Sequence, residues 1–320
     1  MTEYFLGKRE QIAMCEEDSW ATLGTKTMAD DGFIVGKNTK IDPDFKNNWQ
    51  EILTAGTDSR DIDSMEKGPL SYRFSMSFNP TNWKFLRYVG FGTVTNTNFG
   101  SYYGHTFTQT DTSKSFTLEW AKRGSTDHVI TLTGCVIARC TISFAKSLGA
   151  AEGFVTVNAE CIAKSATSGS STTSISADTD DAFQFRMVKY THNSTEVVEV
   201  NSGEITIDNG IDEMDSRYAN STLDQEIGEP IPKVARRTCR FNINQSDDTY
   251  YDDWADQVVV PGTNKLEFTR GSNDDCTFTF TDNYLQTAVS PTNIDGVTNV
   301  DVVGTIKSIS IVAKDQLSDY

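Results

Sequence analysis

Two stretches of this chain carry the same pattern of side chains. "YRFSMSFNPTNWKFLRYVG", residues 72–90, and "TCRFNINQSDDTYYDDWAD", residues 238–256, align without a gap, so that Arg73, Phe74, Met76 and Ser77 meet Arg240, Phe241, Ile243 and Asn244. In each copy apolar residues first alternate, as Tyr72, Phe74, Met76 and Phe78 or as Cys239, Phe241 and Ile243. That period puts every second side chain on one face of a half-buried strand. The period then changes. Asn79 before Pro80, and Ser246 before Asp247 and Asp248, are residues that satisfy or favour the exposed N–H groups of a helix start. Trp83 with Leu86, and Tyr250 with Trp254 and Val258, follow at helical spacing. The unit predicted is a strand running into a short capped helix, once in each half, with Phe74 and Phe241 buried and Asn79 and Ser246 as caps.

Other alternating runs are short and close together. They include "SFTLEWAKRG", "HVITLTG", "NKLEFTRG" and "CTFTFTDNYL", while "CTISFAKS" and "FVTVNAECIAKS" form a predicted hairpin across "LGAAEG". Gly, Asn and Asp clusters separate them, as in all-β chains. The last run, "GTIKSISIVAKD", begins at Gly304, a candidate bulge. The fold class expected is mainly β, a barrel or sandwich with one or two short flanking helices and two pseudo-repeated halves. Four regions are expected: an N-terminal arm and long loop over 1–70, a first half over 71–164, a Ser/Thr-rich connection over 165–202, and a second half over 203–320. A stretch as long and polar as Asp42 to Gly68 needs a partner to order it. Residues 1–30 are expected to serve neighbours rather than their own core.

Chemistry is sparse. His105, His128 and His192 have no carboxylate or Cys at ligand spacing and read as surface or loop residues. "DDTYYDDWAD" reads as a solvated helix face, and "GSYYG" as a Gly-framed turn. No phosphate loop, nucleophile elbow or Cys–His arrangement is present, so no catalytic, cofactor or metal residue is assigned. Six Cys at unpaired spacings read as reduced thiols packed as small hydrophobes. The formal charge of −17 argues against a protein that grips DNA phosphates. No run approaches 18 apolar residues, and the first twenty lack a secretory leader's apolar core, so assembly in a host cytoplasm is expected.

The order of parts resembles the tail tube proteins of long-tailed phages and tailed archaeal viruses. Glu17, Asp18, Ser19 and Trp20 are similar to the family's opening motif, with Gly24 and Thr25 displaced from it. The strand and helix ending "YVGFG", the hairpin from "TGCVIARCTISFAKS", and "EITIDNGI" before "RRTCRFNINQSDDTYYDDW" follow the family's order. The resemblance implies a structural virion protein whose subunits join as hexamers by continuing each other's sheets into rings that stack as a tube for DNA ejection. It implies no enzyme and no cofactor, and as partners other copies of the chain together with tape measure, tail terminator and baseplate proteins. DNA would pass an acidic wall without tight binding. Candidate self-association residues are Glu17, Trp20, Phe45, Trp49, Ile52 and Leu53. The alternative is a carbohydrate-binding or adhesin-type β-sandwich module.

Overall fold

The computed structural model describes residues 10–48, 50–52, 64–66, 68, 70–147, 153–176, 178–212, 237–246, 251–288, 300–318 and 320. In chain order its strands are β1 (Glu10–Glu16), β2 (Phe33–Ile34), β3 (Lys37–Asn47), β4 (Gln50–Ile52), β5 (Ser64–Glu66), β6 (Leu70–Asn79), β7 (Thr93–Asn98), β8 (Tyr103–Thr108), β9 (Phe116–Lys122) and β10 (His128–Ala145). There follow β11 (Thr156–Ala163), β12 (Ser165–Gly169), β13 (Val188–His192), β14 (Thr195–Val197), β15 (Val200–Asp208), β16 (Thr238–Gln245), β17 (Asn264–Gly271), β18 (Asp274–Thr287) and β19 (Val300–Asp315). Two short α-helices, α1 (Met28–Asp31) and α2 (Tyr251–Ala255), flank them.

Antiparallel ladders join the strands into a barrel-like wall. The main series runs β3-β6-β11-β10-β15-β16-β19-β18-β17-β13-β14. The predicted hairpin is β10 with β11, pairing Ser143 with Thr156 and Ile142 with Val157. Strand β10 serves two neighbourhoods. Its first half lies between β9 and β12, its second between β11 and β15. Gly134, at φ +63°, makes the corner between them, a conformation glycine adopts without Cβ strain.

Alternation decides the inside. Phe74, Met76 and Phe78 of β6 and Cys239, Phe241 and Ile243 of β16 are all buried in one core shared by both halves of the chain. Trp83 ties the halves together: its ring centroid lies 5.1 Å from that of Phe183, 4.9 Å from Phe268 and 5.8 Å from Phe278. Beside it, Tyr320 stacks on the buried His105 ring at 3.8 Å, accepts from the Trp83 N–H at 3.1 Å, and donates to Asp315.

Several expectations need correction. His105 and His192 are buried, because each ring meets a carboxylate, Asp315 at 3.1 Å and Asp253 at 3.0 Å. Asn79 is no cap. It ends β6, and its amide donates to the carbonyl of Val155 at 2.9 Å, while the following helix is a 3₁₀ turn, Lys84–Tyr88, whose cap is Trp83 without a side-chain bond. Ser246 accepts from Asn201 at 3.3 Å, and residues 247–250, where a capping contact would fall, lie outside the described residues. Val258 lies beyond α2 and is exposed. Gly304 keeps regular pairing with β16; the register shift lies opposite, on β18 between Leu285 and Thr287. What Gly304 supplies is room, since a Cβ there would run into the Phe241 ring. The stretch 165–202 also carries paired strands, β12, β13 and β14.

All six cysteines are free and buried. Burial pushes Cys15 and Cys239 from an ordinary 9.0 to about 11 and Cys140 to about 12. A folded-state value raised above the unfolded one stabilises the fold fully below the unfolded value and loses that contribution as pH rises toward the folded one. Urea midpoints should therefore hold up to about pH 9 and fall between there and pH 11. Cys140→Ala should flatten that fall; an unchanged slope would remove the thiols as its cause.

Phe74→Ala and Phe241→Ala should each cost about 3–5 kcal/mol in denaturant unfolding, as large-to-small changes in a packed core do. A loss under about 1 kcal/mol at either site would mean that the two strands are not equivalent supports.

Candidate functional site

A wall buried on one face shows its other face to its surroundings. Across β6, β11, β10, β15, β16 and β19 that other face is built in rows. One row is Ser77, Asn158, Thr141, Thr206, Arg240 and Thr305, each directly opposite the next, with Lys40 of β3 at its end. Two residues along, about 7 Å away at the rise of a strand, the row is Asp42, Ser75, Glu160, Arg139, Asp208 and Thr238. On the opposite side come Thr156, Ser143, Glu204, Asn242 and Val303, then Ala145, Ser202, Asn244 and Asp301. Only Val303 and Ala145 in these rows are apolar. A depression of 270 Å³ lies among Ser143, Ser202, Glu204, Asn242, Asn244 and Asp301.

Charges on this face stand beside opposite charges. Lys46 contacts Asp44 at 2.7 Å, Arg73 contacts Asp212 at 3.0 Å, and Arg139 approaches Glu160 at 4.0 Å. Lys307 contacts Asp282 of β18 at 2.7 Å, which holds its ammonium above the ordinary lysine value. Asn244 donates to Asp301 at 2.7 Å.

The wall also has sides along which backbone groups are not used. Among the described residues, β3, β7, β12 and β14 are each paired along one side only. Strand β3 carries the features that discourage indiscriminate pairing, Lys37, Lys40, Lys46 and Pro43. From its far end the chain continues as a second antiparallel pair, β4 with β5, which pairs with no other described strand. Within Asp42 to Gly68 the described residues are thus mainly the end of β3, paired with β6, and the β4–β5 pair, while residues 53–63 lie outside the described residues. At another edge the "GSYYG" turn joins β7 to β8 as expected, and Phe99, 56% exposed, stacks on Tyr102 at 4.9 Å.

The candidate self-association residues fall in different settings. Glu17 is buried: its carboxylate accepts from the N–H of Gly134 and of Ala21 and from the Thr117 hydroxyl, all at 2.8 Å. Trp20 packs on the apolar cluster of Val136, Ile162 and Ile211, with the Lys164 ammonium 4.8 Å from its ring. Phe45 is half-buried on β3, edge-on to Tyr72 at 5.7 Å. Ile52 lies in β4, and Trp49 and Leu53 lie outside the described residues. Residues 10–17 therefore belong to the subunit's own wall, since β1 pairs along its length with β9 and buries Ile12, Ala13, Met14 and Cys15. Removing residues 1–30 would uncover β9 and the core, contrary to the expectation of a dispensable arm. The polar rows were not singled out in the sequence; the off-phase Ser, Thr and Asn of each strand were the available signal.

The chain thus combines a rowed polar face, one-sided strands and a hairpin that pairs with no other described strand. The model of the family described as phage tail tube protein matches residues 7–312. The chain belongs to the phage tail tube family. Comparison with curated proteins gives no match. Family membership makes the protein a structural component of a viral tail, assembled from many subunits. No helix among the described residues is long and apolar enough to cross a membrane.

Glu17 and Phe45 separate folding from association. Glu17→Ala should destabilise the subunit by about 3 kcal/mol, because it strands buried donors that had a charged acceptor. Phe45→Ser should change unfolding by less than about 1.5 kcal/mol while reducing self-association in sedimentation. Equal stability losses for the two would assign Phe45 to the core instead.

Proposed function

We propose that this tail tube protein forms stacked rings, six subunits to a ring, whose bore conducts DNA during ejection, and that the rowed polar face lines the bore. The observation that carries this reading is the continuity of the rows: a water-facing surface crosses six strands with two apolar interruptions. A lining of that kind offers a passing polyelectrolyte no apolar patch to adhere to, and its one described depression is lined mainly by polar side chains. One-sided strands such as β3 supply backbone groups through which a neighbouring copy extends the sheet, and ring closure then removes the open edge. The β4–β5 hairpin is the ring-to-ring contact, with Phe45, Trp49, Ile52 and Leu53 as the candidate residues for it. Tape measure, terminator and baseplate proteins are the partners at the ends of such a tube, and assembly takes place in the host cytoplasm. An acidic bore is the expectation set by the charge of the whole chain. The role is structural rather than enzymatic.

Electron microscopy of the concentrated protein tests the reading, wild type beside a variant with residues 53–63 replaced by a short Gly-Ser turn. The wild type should give tubes with an axial bore. The variant should unfold at the same denaturant concentration and give rings or single subunits. Wild-type protein that stays monomeric and binds a glycan array would favour the carbohydrate-binding alternative, and normal tubes from the variant would remove the hairpin from the stacking contact.

A further inference from the structure

We infer that the conduit face is close to electrically neutral, so that the bore admits DNA by charge balance rather than by repulsion; this rests on the assignment of the rowed face to the bore. The whole chain carries 45 acidic and 28 basic residues, an excess that by itself predicts a repulsive lining. The rows do not share that excess. On β3, β6, β11, β15, β16, the second half of β10 and β19 as far as Lys307, the basic residues of this face are Lys37, Lys40, Lys46, Arg73, Arg139, Arg240 and Lys307. The acidic ones on the same strands are Asp42, Asp44, Glu160, Glu204, Asp208 and Asp301. Seven thus stand against six, and adding Asp181, Asp212 and Asp282, the partners of Lys37, Arg73 and Lys307, leaves the face two units negative. The surplus acid of the chain lies off these rows.

Distribution matters as much as the sum. Arg139 sits between Glu160 and Asp208 in its row, and Arg73 lies opposite Asp44. Spacings of one strand, about 5 Å, are shorter than the Debye length of about 10 Å at 0.1 M salt, so neighbouring charges cancel before their field reaches far into the bore. A polyanion then has few counterions to gain by binding, because net cationic charge drives that release. Neutrality also spares each ring the self-repulsion that a crowded acidic lining would impose. Between the charges stand Ser, Thr and Asn, which hold water and carry no charge at any working pH.

The test removes acid from the face and, separately, from elsewhere. The triple variant Asp42→Asn, Glu160→Gln, Glu204→Gln turns the face from two units negative to one unit positive per subunit. A control, Asp30→Asn, Asp111→Asn, Glu196→Gln, makes the same change in net charge at exposed positions off the rows. Binding of a short double-stranded DNA oligonucleotide is measured at low salt and across a salt series, with full-length protein as subunit and as tube. Wild type and control should bind weakly and alike. The face variant should bind about tenfold tighter or more, with an affinity that falls as salt rises. Equal binding by face variant and control, or tight salt-sensitive binding by the wild type, would overturn the neutral face. Placement is read separately: Thr141→Cys, labelled with maleimide gold, should put density on the tube axis. Gold on the outer surface would overturn the bore assignment, while the subunit binding data would still report the charge of the face.

Discussion

The buried carboxylate of Glu17 is the contact on which the two neighbourhoods of the wall depend. Strand β10 changes partners at Gly134, and the N–H exposed by that corner needs an acceptor where no ladder reaches. Glu17 supplies it, and with its other oxygen caps the turn at Ala21. The Thr117 hydroxyl completes the set from β9, so β1, β9 and β10 are held together at the corner by a single side chain. A charge is a costly group to bury, and one placed so is held there by fully formed hydrogen bonds. The arrangement gives the corner one geometry rather than several.

With the corner defined, the rest of the wall follows from periodicity. The second half of β10 enters the long series of ladders, one face of that series meets Trp83 and its aromatic neighbours, and the other is left to solvent as rows. In the proposed assembly, folding uses one face of these strands and association uses their sides. A single change seldom affects both.

How much could be read from the sequence divides along the same line. Phe74, Phe241, the β10–β11 hairpin and the buried thiols were readable because a strand reports its own period locally. Asn79, Gly304, His105 and Glu17 were not, because each is decided by a residue far along the chain: Val155, Phe241, Asp315 and Gly134. A polar residue before a helix looks the same whether it caps that helix or bonds across the sheet. Glu17 was singled out, as part of a motif similar to the family's, but assigned to contacts between subunits. The rows were invisible because they run across strands, and register is written in no single segment.

The ring of Phe241 lying over Gly304 has a consequence for how the chain can change over generations. The two positions, 63 residues apart, form one volume, since the ring occupies the space a methyl group at Gly304 would need. Either residue altered alone leaves a clash or a void, whereas a smaller side chain at 241 arriving together with alanine at 304 removes the clash with the ring and leaves only the Asn283 amide oxygen, 2.9 Å away, to shift. Descendants of this chain should therefore pass these two positions on as a linked pair, and across a large enough set of relatives they should covary while their neighbours along each strand drift independently.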